Sequence, residues 1–498
     1  MNTHPATDRL LRLRLNHADH DPNNGIKRES SRGKPVENRE NRFAIVGAGP
    51  NGLIAARAFK RGGIDIDILE RHDAVGGIWN IDNSASPVYE SCNFISDRAS
   101  SAMVGYPMPE GPAVFPTWHE VRDFIRAFAR DHDLDQYVIT GKDVTEAYPV
   151  ETDEGQRWVV KTSDGAEVLY RGVVWACGLQ RTPYLPAISG LENFEGEVFH
   201  SNKYKRIEQV VGKRVLVIGA GNSGVDIACD AAIAGKMAHL SVRRGYHFFP
   251  KLLFGQPIMQ LLSRTGKVPQ AVTPLSELTE AEAMQLALES VGDLTSFGLQ
   301  KPDHEVGATH YIMNDQVLYQ IAHGHLQAHQ DIESISGKTV QFVDGTAAEV
   351  DLIICATGYD FDIPWLDPKL LDWDEGSPKF HLGTIASKAE GLYAAGAVHF
   401  PGLTYMTWDR LIQLAVWDAK RLMTGEGQEF RDEIMNYNPV LKNDNLIETH
   451  RNINQYDMAK LMAMTDELQN RYGIEMPASA ADDFYSRSPA EKLHATTV

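Results

Sequence analysis

Phe43-Ala44-Ile45-Val46-Gly47-Ala48-Gly49-Pro50-Asn51-Gly52 is the stretch on which the fold turns. An apolar run predicts a strand, three glycines predict a tight turn, and the small residues that follow (Ala55, Ala56, Ala58) predict a helix. The first glycine turns the chain out of the strand. The second lets backbone N–H groups approach a pyrophosphate. The third lets the helix pack closely, so that its positive N-terminal end faces the phosphates. The pattern recurs at Val215-Leu216-Val217-Ile218-Gly219-Ala220-Gly221-Asn222-Ser223-Gly224. Taken singly, either motif is also the composition of an ordinary glycine-rich turn. Two of them, each with strand and helix in register, predict two dinucleotide sites in one chain, and hence a redox enzyme that passes electrons between them.

The second strand of each unit, about 20 residues on, presents a side chain to the adenosine ribose. In the first unit that strand is Ile64 to Leu69, ending in Glu70. A carboxylate accepts hydrogen bonds from ribose hydroxyls and repels a 2′-phosphate, so this site suits FAD or NAD. In the second unit His239 to Val242 ends in Arg243-Arg244. Arginine suits a 2′-phosphate through charge-assisted hydrogen bonds. The first site is therefore read as FAD and the second as NADPH. The alternative for the arginines is a solvated surface pair.

The first unit continues Glu70-Arg71-His72-Asp73-Ala74-Val75-Gly76-Gly77-Ile78-Trp79, and Phe194-Glu195-Gly196-Glu197-Val198-Phe199-His200-Ser201-Asn202-Lys203-Tyr204 stands between the fingerprints. The latter resembles the FxGxxxHxxxY/W signature of class B flavoprotein monooxygenases. Its tyrosine ending and the following Lys205 resemble the flavin-containing monooxygenases, whereas the related Baeyer–Villiger enzymes usually end it in tryptophan. Ala356-Thr357-Gly358-Tyr359 also matches the family. The resemblance covers most of residues 41–420. It implies an α/β fold of two Rossmann-like dinucleotide-binding domains, the NADPH domain inserted into the FAD domain. It implies FAD contacts from Gly47 to Gly52, Glu70, Arg71, Gly77, Ile78, Trp79, Val144, Gly178 and Gly396. It implies NADPH contacts from Gly219, Gly221, Asn222, Ser223, Gly224, Asp226, Arg243, Arg244 and Thr357. His200 is read as a hinge or as a loop histidine bonded to backbone.

The activity implied is insertion of one atom of O2 into the nitrogen or sulfur of a small substrate, through a flavin C4a-hydroperoxide. The alternatives are Baeyer–Villiger oxidation of a ketone, an NADPH oxidase that releases hydrogen peroxide, and a redox sensor without turnover. One departure bears on these. Many family members carry an asparagine beneath the flavin. Counting back from Tyr106-Pro107-Met108-Pro109 puts Ile95 at that position. Asn93, Ser96 and His200 are the remaining catalytic candidates, and Asp97 is read as structural.

The composition narrows the partners. A net charge of -19 over 498 residues argues against nucleic acid. No apolar run approaches the length of a membrane helix. Four cysteines without a CxxC argue against a paired-thiol reductase and suit a reducing cytoplasm. A homodimer is the working expectation for assembly.

Along the chain, 1–41 reads as an extended or disordered arm with a short turn of helix at 10–15. Residues 42–211 read as the first part of the FAD domain, 212–350 as the NADPH domain with a long insertion, 351–422 as the second part of the FAD domain and 423–498 as helical. Trp118 to His132 reads as an amphipathic helix. Val173 to Gly178 and Leu352 to Gly358 look like a matched pair, each returning the chain to the FAD sheet. Several histidines of the insertion, among them His304, His310 and His329, lack metal-ligand spacing. The pocket is expected from 246–325 and 398–412, with Phe249, Phe400, Tyr405 and Trp408 as lining or core residues.

Overall fold

The computed structural model describes residues 36–262, 280–374, 377–399, 404–437 and 455–474, with 439, 441, 445–447, 449 and 452 between the last two ranges. The expected arm up to 35, Phe400 and the part of the expected helical region from 475 on lie outside the described residues.

The first sheet is built from β1 (Glu37–Val46), the helix α1 (Pro50–Arg61), β2 (Ile66–Leu69), the helix α2 (Trp118–Asp131), β3 (Val138–Ile139), β4 (Val144–Thr152), β5 (Gly155–Thr162) and β6 (Glu167–Trp175). The second comprises β7 (Glu197–His200), β8 (Arg214–Ile218), the helix α3 (Asn222–Ala234), β9 (Met237–Ser241) and β10 (Leu326–His329). A three-stranded meander follows, β11 (Ile332–Ser336), β12 (Thr339–Phe342) and β13 (Ala347–Glu349). The chain then forms β14 (Leu352–Cys355), β15 (Leu392–Ala394) and the long helix α4 (Thr404–Thr424).

The strand order of the first sheet is β3-β2-β1-β6-β5-β4, with β15 also on β6. The order of the second is β10-β9-β8-β14-β7, parallel throughout. Each unit runs strand, glycine turn, helix, strand; in the first the last strand of an antiparallel meander, β6, lies beside β1, and in the second the strand after a meander, β14, lies beside β8. The pair read from the sequence, Val173–Gly178 and Leu352–Gly358, is thus a structural pair, but its destination needs correction. β6 belongs to the first sheet, whereas β14 lies between β8 and β7 in the second, with Ile353 opposite Leu216 and Val198. The strand that returns to the first sheet is β15, with Tyr393 opposite Val174. The expected break at 212 also falls inside the second sheet, which already contains Glu197–His200. A strand buried on both faces carries the same apolar run in either sheet, so periodicity does not say which sheet it joins.

β1 begins at Glu37, within the segment read as an arm. The charges that made it look extended are used locally. Arg39 and Arg42 reach Asp67 of β2 at 2.7 and 2.9 Å, with Asp67 buried between them. α2 matches its reading. Thr117 and Glu120 close a reciprocal capping box, and Val121, Phe124, Ile125 and Phe128 face the core. α4 lays Leu411, Ile412 and Ala415 against the first sheet's core, and Trp408 and Tyr405 are buried there too. These two aromatics and Phe249 are core residues of their clusters. The C-terminal region holds helices at Gln428–Asn436 and Met458–Tyr472. Leu461 and Leu468 of the second helix join the first core, and its methionines pack at the core's edge.

Candidate functional site

Both fingerprints fold into cradles that only glycine fits. At the first, Gly47 has φ +111°, and a Cβ on Gly52 would lie 1.9 Å from the Gly47 carbonyl oxygen. At the second, Gly219 has φ +102°, and a Cβ on Gly224 would lie 1.9 Å from the Gly219 oxygen. The wall opposite is alike as well. Ala176 after β6 crowds Gly47, and Ala356 after β14 crowds Gly219. Each cradle aims a helix N-terminus, with its unpaired backbone N–H groups, across the turn.

Around the first cradle the structure gathers most of the residues read from the sequence. Glu70, buried at the end of β2, accepts the Ala48 N–H on Oε2 at 2.8 Å and the His72 N–H on Oε1 at 2.9 Å. Gly76 donates to the Ala48 carbonyl at 3.0 Å, and a Cβ on Gly77 would meet Gly49 Cα at 2.8 Å, so the Gly76-Gly77 turn lies against the fingerprint. Asn51 carries a buried Oδ1 with no partner in the structure, and Gly396 (φ +97°) passes so close that a Cβ there would strike the Asn51 amide at 2.4 Å. An orphaned buried acceptor at a helix N-terminus, framed by glycine backbone, fits an incoming ligand group. Trp79 stacks on Phe94 at 5.0 Å. Ser86 donates to the Ile78 carbonyl. Arg71 donates to His72 at 2.9 Å. Val144 is buried in the first core, and Gly178 takes φ +74° after β6.

The second cradle treats its residues unequally. Ser223 is exposed in the first turn of α3, and Asn222 accepts the Met313 N–H at 2.9 Å. Asp226, read as lining the pyrophosphate site, has two side-chain partners. Its Oδ2 accepts Tyr89 Oη at 3.0 Å and its Oδ1 accepts Asn314 Nδ2 at 2.6 Å, so the carboxylate ties α3 to neighbouring segments. A carboxylate facing a diphosphate would also repel it. Arg243 is exposed beyond β9, while Arg244 is ion-paired to Asp303 at 2.8 Å. Thr357 donates to the Tyr184 carbonyl at 2.5 Å.

The signature segment is more than a linker, because Glu197–His200 is strand β7. His200 accepts the Asn202 N–H on Nδ1 at 3.2 Å, which leaves its proton on Nε2 to donate to the Gly358 carbonyl at 3.0 Å. Burial lowers its pKa, so it is a neutral residue bonded to backbone and joins the signature to the turn after β14. Tyr204 is fully buried and donates to Asp230 at 2.8 Å, and Ser91 donates to the same carboxylate oxygen at 2.5 Å. Lys205 reaches the carbonyls of Ser86 and Val88. Burial, then the neighbouring Lys203, lowers its pKa to about 8. Tyr89, Ser91, Asp230 and Asp303 were not singled out from the sequence, because each acts through a partner distant along the chain.

The catalytic candidates do not converge. Asn93 bridges to Thr117 and donates to the Phe115 carbonyl at 3.1 Å. It lines a cleft of about 500 Å³ with Ser91, Asp226, Lys251 and Asn314, along the flank of α3. No glycine of either fingerprint lines that cleft. Ile95 packs against Phe249, Leu253, Ile258 and Met313. Ser96 has no side-chain hydrogen bond among the described residues. Asp97 is structural as read. It is buried and accepts the Ala99 and Ser100 N–H groups at 3.1 and 3.3 Å, Ser100 Oγ at 2.8 Å and Gln260 Nε2 at 2.8 Å.

The flavin-binding monooxygenase-like family model matches residues 40–380. The chain belongs to that family. FAD and NADPH are the cofactors that membership in this flavin-binding monooxygenase-like family brings. Rat flavin-containing monooxygenase 5 is 29% identical over 66% of this chain and 63% of its own length, so the chain spans just under two thirds of that relative. The probable indole-3-pyruvate monooxygenase YUCCA9 of Arabidopsis thaliana is 30% identical over 71% of this chain and 83% of its own. In fold the chain is similar to S-allyl-L-cysteine S-oxygenase from Allium sativum, with 20% identity, a TM-score of 0.60 and coverage of 87% of this chain and 88% of that one. It is also similar to a steroid monooxygenase bound to NADP, with 18% identity, a TM-score of 0.63 and coverage of 88% and 98%. No helix among the described residues is long and apolar enough to cross a membrane, and no described group of His, Cys, Asp and Glu could hold a metal.

Proposed function

We propose that this protein is a FAD- and NADPH-dependent monooxygenase that adds one atom of O2 to the nitrogen or sulfur of a small nucleophilic substrate. The observation that carries the reading is the pair of like-built cradles, one closed by Glu70 and the other followed by Arg243. In this reading one unit, formed by β1–β6 with β15 and α4, binds FAD. The unit from β7 to β14, inserted between those parts, binds NADPH. Two bound nucleotides supply hydride transfer and O2 activation, and the protein supplies orientation and dryness.

Each residue's task follows from its place. The glycine turns and the N-termini of α1 and α3 hold the two pyrophosphates. Glu70 faces the adenosine ribose of FAD, and Asn51 and Gly396 frame a group further along it. Lys205 joins the signature to the 86–88 segment of the first unit, and Ser91 of the first unit shares Asp230 with Tyr204 of the second. Oxidation of a nucleophile needs no side-chain acid or base, so the scatter of Asn93, Ser96 and His200 agrees with it. The tyrosine ending of the signature supports nucleophile oxidation over ketone oxidation. The relatives named for N-oxide formation, such as dimethylaniline monooxygenase 2 of Cavia porcellus, point the same way.

A second reading, an oxidase that releases peroxide, draws on the count that puts Ile95 where the resembled family carries asparagine. One experiment separates the readings. NADPH and O2 consumption are followed in the presence of a tertiary amine, a thioether or a cyclic ketone, with products identified by mass spectrometry. N-oxide or sulfoxide formed in step with NADPH supports the proposal. Ester from the ketone alone, or peroxide equal to the NADPH consumed with every substrate, overturns it.

A further inference from the structure

β9 delivers two adjacent arginines to the place where the second unit would hold the adenosine ribose, and the fold treats them differently. Arg243 is exposed and has no hydrogen-bond or ion-pair partner among the described residues. Arg244 is engaged by Asp303. Its Nη2 lies 2.8 and 3.0 Å from the two carboxylate oxygens, and its Nε lies 3.3 Å from one of them. The Arg244 side chain is 24% exposed. Asp303 also accepts His304 Nδ1 at 2.9 Å, and these two bonds, His304 first, hold its carboxyl at about 2.

The pair is anchored on both sides. His247 bonds the His304 carbonyl at 2.9 Å and meets the His304 ring edge-on at 5.1 Å. Gly245 lies so close to the Lys301 backbone that a Cβ would sit 2.3 Å from its carbonyl oxygen. An ion pair fixed in this way holds its geometry, unlike a surface pair of two free side chains.

We infer that Asp303 sets the strength of the 2′-phosphate subsite by withholding Arg244 from it, leaving Arg243 as the principal phosphate ligand. The inference rests on the assignment of the second cradle to NADPH. A guanidinium recognises phosphate through the same paired N–H face that it offers a carboxylate. Asp303 occupies part of that face, and its own charge repels a phosphate dianion brought beside it. A nucleotide without the 2′-phosphate meets neither effect. Asp303 therefore weakens NADPH selectively and narrows the preference over NADH.

The test is equilibrium binding of 2′,5′-ADP and of 5′-AMP to the FAD-loaded protein by titration calorimetry. Asp303→Ala should tighten 2′,5′-ADP about tenfold, a change of one decade in Kd, and leave 5′-AMP nearly unchanged. Asp303→Ser serves as the second variant. Arg243→Ala should weaken 2′,5′-ADP, Arg244→Ala alone should change it little, and Arg244→Ala should abolish the gain from Asp303→Ala. That last comparison separates a released arginine from the mere loss of a negative charge. If D303A and D303S leave the ratio of the two affinities unchanged, or if R244A weakens 2′,5′-ADP as much as R243A, the inference is overturned while the NADPH site stands. If the wild-type protein binds neither nucleotide, the second site falls and the inference with it.

Discussion

Glu70 Oε2 accepts the backbone N–H of Ala48 at 2.8 Å, so the end of the second strand and the turn of the first fingerprint form one hydrogen-bonded unit. The other carboxylate oxygen takes the His72 N–H at 2.9 Å. The residue proposed to face the ribose thus also fixes the turn proposed to receive the pyrophosphate. Glu70→Gln keeps the size but must turn an NH2 group toward one of two N–H donors. A hydrogen bond to a charged group contributes about 1.5–3 kcal/mol, so FAD affinity should fall about tenfold or more. The flavin retained by the purified variant after dialysis measures this, and undiminished retention would show that Glu70 has no part in the site.

The two cradles should fail independently. A Cβ on Gly52 or Gly224 would lie 1.9 Å from a carbonyl oxygen of its own turn, a clash that neither helix can relieve without moving off its strand. Overpacking of this kind costs about 1–3 kcal/mol. Gly224→Ala should keep its bound flavin and its yellow colour but lose reduction by NADPH in an anaerobic stopped-flow experiment. Gly52→Ala should lose the flavin and still bind 2′,5′-ADP. Parallel loss of both ligands in both variants would contradict separate sites.

These cradles were legible in the sequence because steric exclusion is local. Only glycine meets the demand at Gly47 and Gly52, and strand, turn and helix follow within a few residues. Glu70 was legible as the end of the second strand, while its bond to the Ala48 N–H was not. The membership of Leu352–Cys355 in the second sheet was not, since an apolar strand buried on both faces reads alike wherever it pairs. The tie between Arg244 and Asp303 was also hidden. It spans 59 positions, and no spacing rule links a strand end to a loop of the insertion. The bonds of Asp226 to Tyr89 and Asn314 were hidden as well, because those partners lie in other segments.

Lys205 offers a test of the join between the signature and the first unit. Its ammonium is half-buried against the Ser86 and Val88 carbonyls, and burial lowers its pKa to about 8 from 10.5. Between these values the unfolded chain holds the proton that the folded chain has released. Stability should therefore rise with pH across that window, being full above 10.5 and lost as the pH falls to about 8. Lys205→Gln keeps a donor for the carbonyls and does not titrate. The melting temperature of the wild type relative to this variant should climb from pH 7.5 to 10, values that bracket most of the window. A constant difference across that range would remove Lys205 as the titrating group.

Counting back from Tyr106 puts Ile95 where many members of the resembled family carry asparagine, and its surroundings are apolar. The side chain packs against Phe249, Leu253, Ile258 and Met313, an apolar cluster contributed by the insertion. Asn93, two residues before it, is held to Phe115 and bridged to Thr117. Replacing Ile95 by the family's asparagine would place an amide with no partner among these side chains, at a cost of about 1–3 kcal/mol. Ile95→Asn should therefore melt several degrees lower and release the same fraction of its NADPH-derived electrons as peroxide. Differential scanning fluorimetry and a peroxide assay read the two effects separately. A variant of unchanged melting temperature that releases less peroxide would instead place Ile95 beside the flavin, and the apolar cluster would then be a wall of the active site.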